Sequence, residues 1–366
     1  MRILFTRFPL ESAHGGAEIQ TISLMRGLND RGHDVSFLGS CPAMLELCQE
    51  NNIDFEELNI GKPPVTKWHA LTFIRKQFRM KKKLIKAIEL HEKPDAIVMI
   101  SLSEKLLLTH PAHEMGIKVF WLEHDRIGRW LTMNPWLHRL RKLSTEATTI
   151  GVSELSRQIY LSLGFPEKRV KAIANGIDLD RFKVESSKLK VKPSTSNLKP
   201  TTRNLLRIGC VSRLSPEKGV DVLVDAVRDL PDTSLEIIGT GPQKLELPSN
   251  AKIIDRVEDL GSFYQSIDVL VLPSREHDPF GLVAAEAMTL GTPVIVTDAC
   301  GIADYLASGN DSLVVKANSS KALKGAILKL FDDDLRKSIG FTGNKTATKK
   351  FAFEKMIKAY ECILNT

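Results

Sequence analysis

The strongest constraint on the fold is a series of short apolar runs, each followed by a turn and then by enough chain for a helix. Arg2-Ile3-Leu4-Phe5-Thr6 leads into a turn from Pro9 to Gly16 and a helical pattern from Ala17 to Arg31, in which Ile19, Ile22, Met25 and Leu28 fall three apart. Val35-Ser36-Phe37-Leu38, Ala96-Ile97-Val98-Met99-Ile100, Val119-Phe120-Trp121-Leu122 and Thr149-Ile150-Gly151-Val152 repeat the signature of a buried strand. Strand, Gly-rich loop, helix, strand is the order of a parallel sheet with right-handed crossovers.

After the Asn175-Gly176 turn the composition changes. Lys188 to Arg203, rich in Lys, Ser, Thr and Pro, is expected to be an exposed connection. A second series then starts at Leu206-Arg207-Ile208-Gly209-Cys210-Val211 and runs through Leu235-Glu236-Ile237-Ile238, Val269-Leu270-Val271-Leu272 and Pro293-Val294-Ile295-Val296. Two doubly wound halves follow, in keeping with 366 residues, since a single core rarely grows beyond ~250. Met356, Ile357, Tyr360 and Ile363 give the last segment, Phe353 to Leu364, an apolar face that needs a surface to cover.

No charge-free stretch exceeds 11 residues, so no transmembrane helix is expected, and MRILFTRF lacks the apolar core of a signal peptide. A cytoplasmic protein is the expectation. Cys41, Cys48, Cys210, Cys300 and Cys362 are scattered and lack a C-x-x-C pair, which suits reduced thiols. The net charge of +7 favours anionic partners without choosing among them.

Chemistry concentrates in the second half. Arg213-Leu214-Ser215-Pro216-Glu217-Lys218-Gly219 puts two cations on one loop just after a strand, at the sheet edge where open α/β sheets bind ligands. Either an anionic ligand or pairing with Glu217 explains them. Asp278 to Met288 reads as loop and then helix, with Phe280 to Val283 as the first turn, whose N–H groups form an anion site. Asp278 suits a helix cap or the hydroxyls of a sugar. Glu286 suits a vicinal diol such as a ribose, or a salt bridge on a solvated helix. Gly239-Thr240-Gly241 is a truncated dinucleotide fingerprint with Lys244 in place of the third glycine. In the first half, His14-Gly15-Gly16-Ala17-Glu18 joins strand to helix, and its glycines allow close approach to a ligand or simply a tight turn. His124 ends a strand, as a structural histidine or a site residue, while His110 and His113 have no third metal ligand near in sequence.

Ser212 to Gly219, the Gly239-Thr240-Gly241 loop, the acid pair Asp278 and Glu286 running into Ala287-Met288, and Gly291-Thr292-Pro293-Val294 together resemble family-four retaining glycosyltransferases. Gly15-Gly16-Ala17-Glu18 and Asn175-Gly176-Ile177-Asp178 match that family's other landmarks. The resemblance implies the α/β GT-B fold, two Rossmann-like doubly wound parallel-sheet domains facing across a cleft. It implies an acceptor-side domain over 1–180, a connecting segment over 181–203, a nucleotide-sugar-binding domain over 204–350, and a last helix over 352–366 crossing back to the first. Carried over by position, Arg213 and Lys218 bind the donor diphosphate, with backbone help from Phe280, Gly281, Leu282 and Val283. Glu286 binds the ribose and Asp278 the transferred sugar. Arg256 and Val257 meet the nucleobase through main chain, Gly16 approaches the phosphate, and His124 sits beside the sugar. Asp278 is a methylene shorter than the family's usual glutamate, so sugar choice is expected to differ.

The resemblance further implies retention of anomeric configuration, with a nucleoside diphosphate sugar, expected to be UDP-linked, as substrate and no cofactor. Two cations and a helix end stabilise the leaving diphosphate electrostatically, so no metal requirement is expected. Lys62 to Lys86 holds nine Lys or Arg and no acid, interleaved with Trp68, Leu71, Phe73, Ile74, Phe78, Leu84 and Ile85. This is either a basic amphipathic helix resting on an anionic membrane, peripheral at the inner face of the plasma membrane, or an ordinary helix with solvated cations. The membrane alternative implies a lipid-linked acceptor, and otherwise a saccharide, in cell-surface polysaccharide or lipopolysaccharide assembly. Nucleic acid is not expected, because no recognition motif accompanies the charge. The competing functions are a dinucleotide-dependent oxidoreductase, which leaves Arg213 and Lys218 unexplained, and a catalytically silent GT-B nucleotide-binding protein.

Overall fold

The computed structural model describes residues 1–9, 15–90, 92–178 and 205–366. His14 and the expected connecting segment 181–203 lie outside the described residues. The chain divides into two units, Met1–Gly176 with Glu354–Thr366, and Ile177–Phe353.

The first unit is built on β1 (Arg2–Arg7), β2 (Asp34–Gly39), β3 (Asp54–Glu57), β4 (Ala96–Met99), β5 (Lys118–Glu123), β6 (Thr148–Gly151) and β7 (Val170–Ala172). Among the described residues these form a parallel sheet in the order β3-β2-β1-β4-β5-β6-β7. Its helices are α1 (Gly16–Asn29), α2 (Pro42–Glu50), α3 (Lys67–Glu89), α4 (Leu102–Glu114), α5 (Arg129–Thr132), α6 (Leu137–Leu143) and α7 (Glu154–Ser162). Helices on both faces leave the middle strands without a polar side: all four residues of β4 are buried. Trp121 of β5 is wholly buried and its indole N–H donates to Thr109 Oγ1 at 3.0 Å, so the one polar atom of the largest core side chain has a partner.

In the second unit β8 (Leu206–Val211), β9 (Thr233–Ile238), β10 (Ala251–Ile254), β11 (Val269–Leu272), β12 (Val294–Thr297) and β13 (Leu313–Val315) pair in parallel in the order β10-β9-β8-β11-β12-β13. The helices are α8 (Val220–Val227), α9 (Leu260–Ser266), α10 (Leu282–Thr289), α11 (Ser320–Lys329) and α12 (Asp333–Lys350). α13 (Phe353–Asn365) is the last helix, and its buried stripe is Met356, Ile357, Tyr360 and Leu364 rather than Ile363. Arg31 pairs with Glu354 and, at 2.9 Å, with Glu361, and Lys118 Nζ donates to the Leu364 carbonyl at 3.1 Å, which ties α13 to the first sheet's unit.

Four strands escape the apolar-run criterion, β3, β7, β10 and β13, and they are the outer strands of the two sheets. An outer strand has one neighbour and is covered less: Asp54-Phe55-Glu56-Glu57 is mostly exposed. In each sheet consecutive strands run outward from β1 or β8, and the chain then returns to the other side of that strand, so a topological switch lies between β1 and β4 and another between β8 and β11. In open α/β sheets such a switch, beyond the carboxyl ends of the strands, is where ligands bind.

Central and outer strands should respond unequally to truncation. Leu270→Ala, at a wholly buried position of β11, is expected to cost about 2–5 kcal/mol. Lys252→Ala on β10, whose ammonium pairs with Glu236 at the surface, should cost within ~0.5 kcal/mol. Urea titration of both variants checks the difference.

Candidate active site

The loops after β8 and β11 flank the second switch, and the structure joins them tightly. Gly219 has φ +65° and a Cβ there would lie 2.3 Å from the Pro273 carbonyl oxygen, so only glycine lets the first loop press against the second. The Glu217 carbonyl accepts N–H groups from Arg275 and Glu276 at 2.9 and 3.2 Å. Arg275 returns the contact, donating to the Pro216 carbonyl at 2.8 Å and to Asp221 at 2.5 Å. Gly239 and Gly241 pack the loop after β9 onto the loop after β8: a Cβ on either would lie 2.0 or 2.2 Å from the carbonyl oxygen of Ser212 or Leu214. The truncated glycine fingerprint is thus a close-packing device beneath the Arg213 loop.

This approach brings Lys218 Nζ to 2.6 Å from Asp278 Oδ2, and Ser274 Oγ donates to the same oxygen at 3.1 Å. Asp278 does not cap the helix, because the N-cap of α10 is Gly281. Burial by itself would raise the Asp278 carboxyl, but the Lys218 charge and the hydrogen bonds from Lys218 and Ser274 outweigh it and hold the carboxyl below its ordinary value. Arg213 projects into solvent, 76% exposed, and its Nη2 lies 3.9 Å from Glu217 Oε1, at the outer limit of an ion pair. The two cations of the loop therefore have different settings, one built in and one reaching out.

The expected first turn needs correction. Gly281 has φ +99°, a conformation that starts α10 at Leu282, so Phe280 lies outside the helix. Its ring is buried in a cluster with Phe351 at 5.3 Å and Tyr305 at 6.3 Å, and its carbonyl accepts from Ile302 N–H at 2.6 Å. The N–H groups of Leu282 and Val283 belong to the first turn and have no acceptor within the helix. Glu286, one turn further on, is not on a solvated face. It is 8% exposed, and the buried Tyr264 donates its hydroxyl to Glu286 Oε2 at 2.8 Å. Arg256 and Val257 follow β10, the outer strand beside β9, with Arg256 exposed and Val257 half-buried.

In the first unit, Gly16 opens α1 after β1, and Gly15 N–H donates to Glu18 at 3.2 Å. Glu18 pairs with Arg7 at 2.6 Å, both nearly buried. His124 follows β5 and is also buried, with Nε2 unpartnered among the described residues. Burial, then the charges of Arg7 and Lys105, push its imidazole down to about 3, so it is neutral at physiological pH. Lys105 pairs with Glu123 at 2.9 Å, and Tyr160 donates to the same carboxylate at 2.7 Å. Sequence reasoning missed Tyr264, Ser274 and this Lys105–Glu123–Tyr160 set. Their partners lie 22, 4 and 18 to 37 positions away with no fixed spacing to find them by. His110, weighed as a metal ligand, pairs instead with Glu114 and Glu146.

The Lys218–Asp278 pair has a pH signature. A depressed carboxyl contributes stability that is present above its unfolded value, ~3.9, and is lost as pH falls through the folded value. Asp278→Asn should lower stability by about 1–3 kcal/mol near neutrality. The gap to the wild type should close only as pH falls below ~3.9, as followed by urea unfolding across the acid range.

The family pattern described as "Glycosyl transferases group 1" matches residues 195–346, and "Glycosyltransferase Family 4" matches residues 14–181. The chain is 28% identical over 252 residues to the capsular polysaccharide biosynthesis glycosyltransferase CapM of Staphylococcus aureus, a match covering 63% of this chain and 65% of the relative. It is 29% identical over 177 residues to the lipopolysaccharide core biosynthesis mannosyltransferase LpsB of Rhizobium meliloti, covering 43% and 50%. The matches span between 46% and 65% of the length of the first curated relatives. Among solved structures, Anabaena HepE in complex with UDP superposes with a TM-score of 0.81 at 20% identity over 100% of both chains, which shows the shared GT-B fold. With one family pattern on each half and that fold throughout, the chain belongs to the group 1, family 4 glycosyltransferases.

Proposed function

We propose that this protein is a retaining glycosyltransferase that moves a sugar from a nucleoside diphosphate sugar to a saccharide or lipid-linked acceptor in cell-surface polysaccharide or lipopolysaccharide biosynthesis. The observation that carries the proposal is the union of Lys218 and Asp278 at 2.6 Å beside the start of α10 and Glu286, at the second sheet's switch point. An anionic leaving group and a polyhydroxyl group need cations, free helix N–H groups and carboxylates close together, and this cluster has all three.

In the proposed reaction the bond between the anomeric carbon and the diphosphate oxygen breaks while the acceptor hydroxyl oxygen bonds to that carbon. The acceptor's proton leaves to the departing phosphate. Negative charge therefore grows on the diphosphate, and Arg213, Lys218 and the N–H groups of Leu282 and Val283 oppose it, which is why we propose that no metal is required. Arg213 is positioned to fold onto the diphosphate from solvent, whereas Lys218 acts from a fixed place. Phe280 contributes main chain alone, and Gly281 lets the backbone of α10 come close. Glu286, aimed by Tyr264, takes the ribose hydroxyls. Asp278 takes the hydroxyls of the transferred sugar and, through its pair with Lys218, links sugar recognition to phosphate binding. Arg256 and Val257 meet the base by main chain. By the family resemblance we assign Gly16 to the phosphate and His124, neutral, to the sugar.

Uridine diphosphate is the nucleotide we assign, in keeping with the HepE structures solved with UDP and with UDP-glucose. CapM and LpsB, acting in capsule and lipopolysaccharide core synthesis by their names, support the acceptor class. A lipid-linked acceptor would bring the work to the inner face of the plasma membrane.

The test is calorimetric titration with UDP in the presence of EDTA, followed by turnover of UDP-sugars. Arg213→Ala and Lys218→Ala should each weaken UDP about 10–100-fold, the worth of a charge-assisted contact of ~1.5–3 kcal/mol. Unchanged affinity in both variants refutes the site. Nucleotide binding with no transfer to any acceptor pool would assign the silent binding protein instead. Tyr264→Phe, which leaves the carboxylate of Glu286 in place but unaimed, should weaken UDP by less than Glu286→Gln does.

A further inference from the structure

Helix α3 carries two apolar faces, and the first unit uses one of them. Ala70, Phe73, Met80, Leu84, Ala87 and Ile88 are buried. Leu71, Ile74 and Phe78 lie about a third of a turn round the axis from that face, given ~3.6 residues per turn. They are 64%, 56% and 75% exposed, and Trp68, at the start of the helix, is 72% exposed. Single exposed apolar side chains are ordinary, but a ridge of four on one helix marks a surface that meets something apolar.

The charge around the ridge is as uneven. No acid occurs between Glu57 and Glu89, while nine Lys or Arg fall between Lys62 and Lys86. A second acid-free stretch, Arg126 to Thr145, carries Arg126, Arg129, Arg139, Arg141 and Lys142. It packs beside α3: Trp136 Nε1 donates to the Ala70 carbonyl at 2.9 Å, Arg139 to Gln77 Oε1 at 2.7 Å, and Asn134 to the Pro64 carbonyl at 2.8 Å. Met133, 74% exposed, is its own apolar contribution. These two stretches hold 14 of the chain's 51 Lys and Arg, which leaves 37 against 44 acids, so the rest of a chain of net charge +7 is net −7. Along α3 itself, Phe78, Lys81, Lys82, Ile85 and Lys86, with Glu89, line a surface hollow.

We infer that α3 and the adjoining 126–145 stretch dock the protein on an anionic lipid surface. The helix lies in the plane of the interface, with Trp68, Leu71, Ile74 and Phe78 in the acyl boundary and the flanking cations on headgroup phosphates. The ridge decides the class of partner. A nucleic acid would meet the cations and leave Leu71 and Ile74 in water, whereas a bilayer interface takes both at once. Among the described residues no helix is long and apolar enough to cross a membrane. The inference does not depend on the donor chemistry, and its test reads neither nucleotide nor transfer.

The full chain is sedimented with vesicles of phosphatidylcholine alone and of phosphatidylcholine with phosphatidylglycerol. Binding is expected to the anionic vesicles only, to weaken with added salt, and to fall about fivefold for each cation removed, as in Arg75→Gln or Lys82→Gln. The Ile74→Ser/Phe78→Ser double variant keeps every cation and should bind at least about tenfold more weakly. Tryptophan emission of the unmodified protein should be quenched by bromine-labelled acyl chains, and Trp68→Phe should remove most of that quenching. Absence of quenching, equal binding to both vesicle types, or full binding by the double variant would overturn the inference. So would tight binding of a generic RNA that is insensitive to the ridge substitutions.

Discussion

The two sheets are parallel and covered on both faces, and that geometry governs everything else in the molecule. Parallel neighbours cannot be joined by hairpins, so every strand ends at the same edge of its sheet and most returns pass through a helix, the loop from β9 to β10 being an exception. The residues available for chemistry are therefore those at one edge. Within that edge the switch point is where open α/β sheets bind ligands. In the second unit the loops at the switch carry Lys218 and Asp278, and Gly219 removes the Cβ atom that would hold them apart.

The same geometry explains which parts of the fold were legible in the sequence. A middle strand is apolar on both faces and reads as an unbroken run, as Val269-Leu270-Val271-Leu272 does. An outer strand loses that constraint, and β3, with Asp, Phe, Glu and Glu, is indistinguishable from loop. Charged loops were visible because cations just after a buried strand are unusual. The pairing of Lys218 with Asp278, 60 positions apart, was not, because it depends on how closely two backbones pack. The start of α10 was misjudged for a related reason: Phe280 satisfies the apolar pattern of a first turn, while the left-handed conformation of Gly281 and the aromatic cluster around Phe280 pull it out. For Glu286 the sequence left a diol ligand or a salt bridge on a solvated helix, and its enclosure beside Tyr264 removes the solvated face.

Helix α3 shows how one element can answer to two environments. Its inward stripe gives the register against the first sheet, and its composition gives the outward ridge and the cations. Periodicity identified an amphipathic helix but could not tell which apolar stripe faced inward, since both recur at intervals of three and four. Only the packing of Phe73 against Trp136, edge to face at 5.1 Å, separates them.

The chain's path between its units bears on how it is made. The first unit is discontinuous: it takes residues up to Gly176 and then the last helix, while the second is the unbroken stretch Ile177–Phe353. The two crossings are neighbours, since Ile177 N–H donates to the Phe351 carbonyl at 2.8 Å and Gly176 N–H approaches Met356 Sδ at 3.0 Å. During vectorial synthesis the second unit has its whole sequence before the first has its last helix. The first unit is thus the one that must wait longer for completion, with the surface later covered by Met356, Ile357, Tyr360 and Leu364 open until α13 has been made.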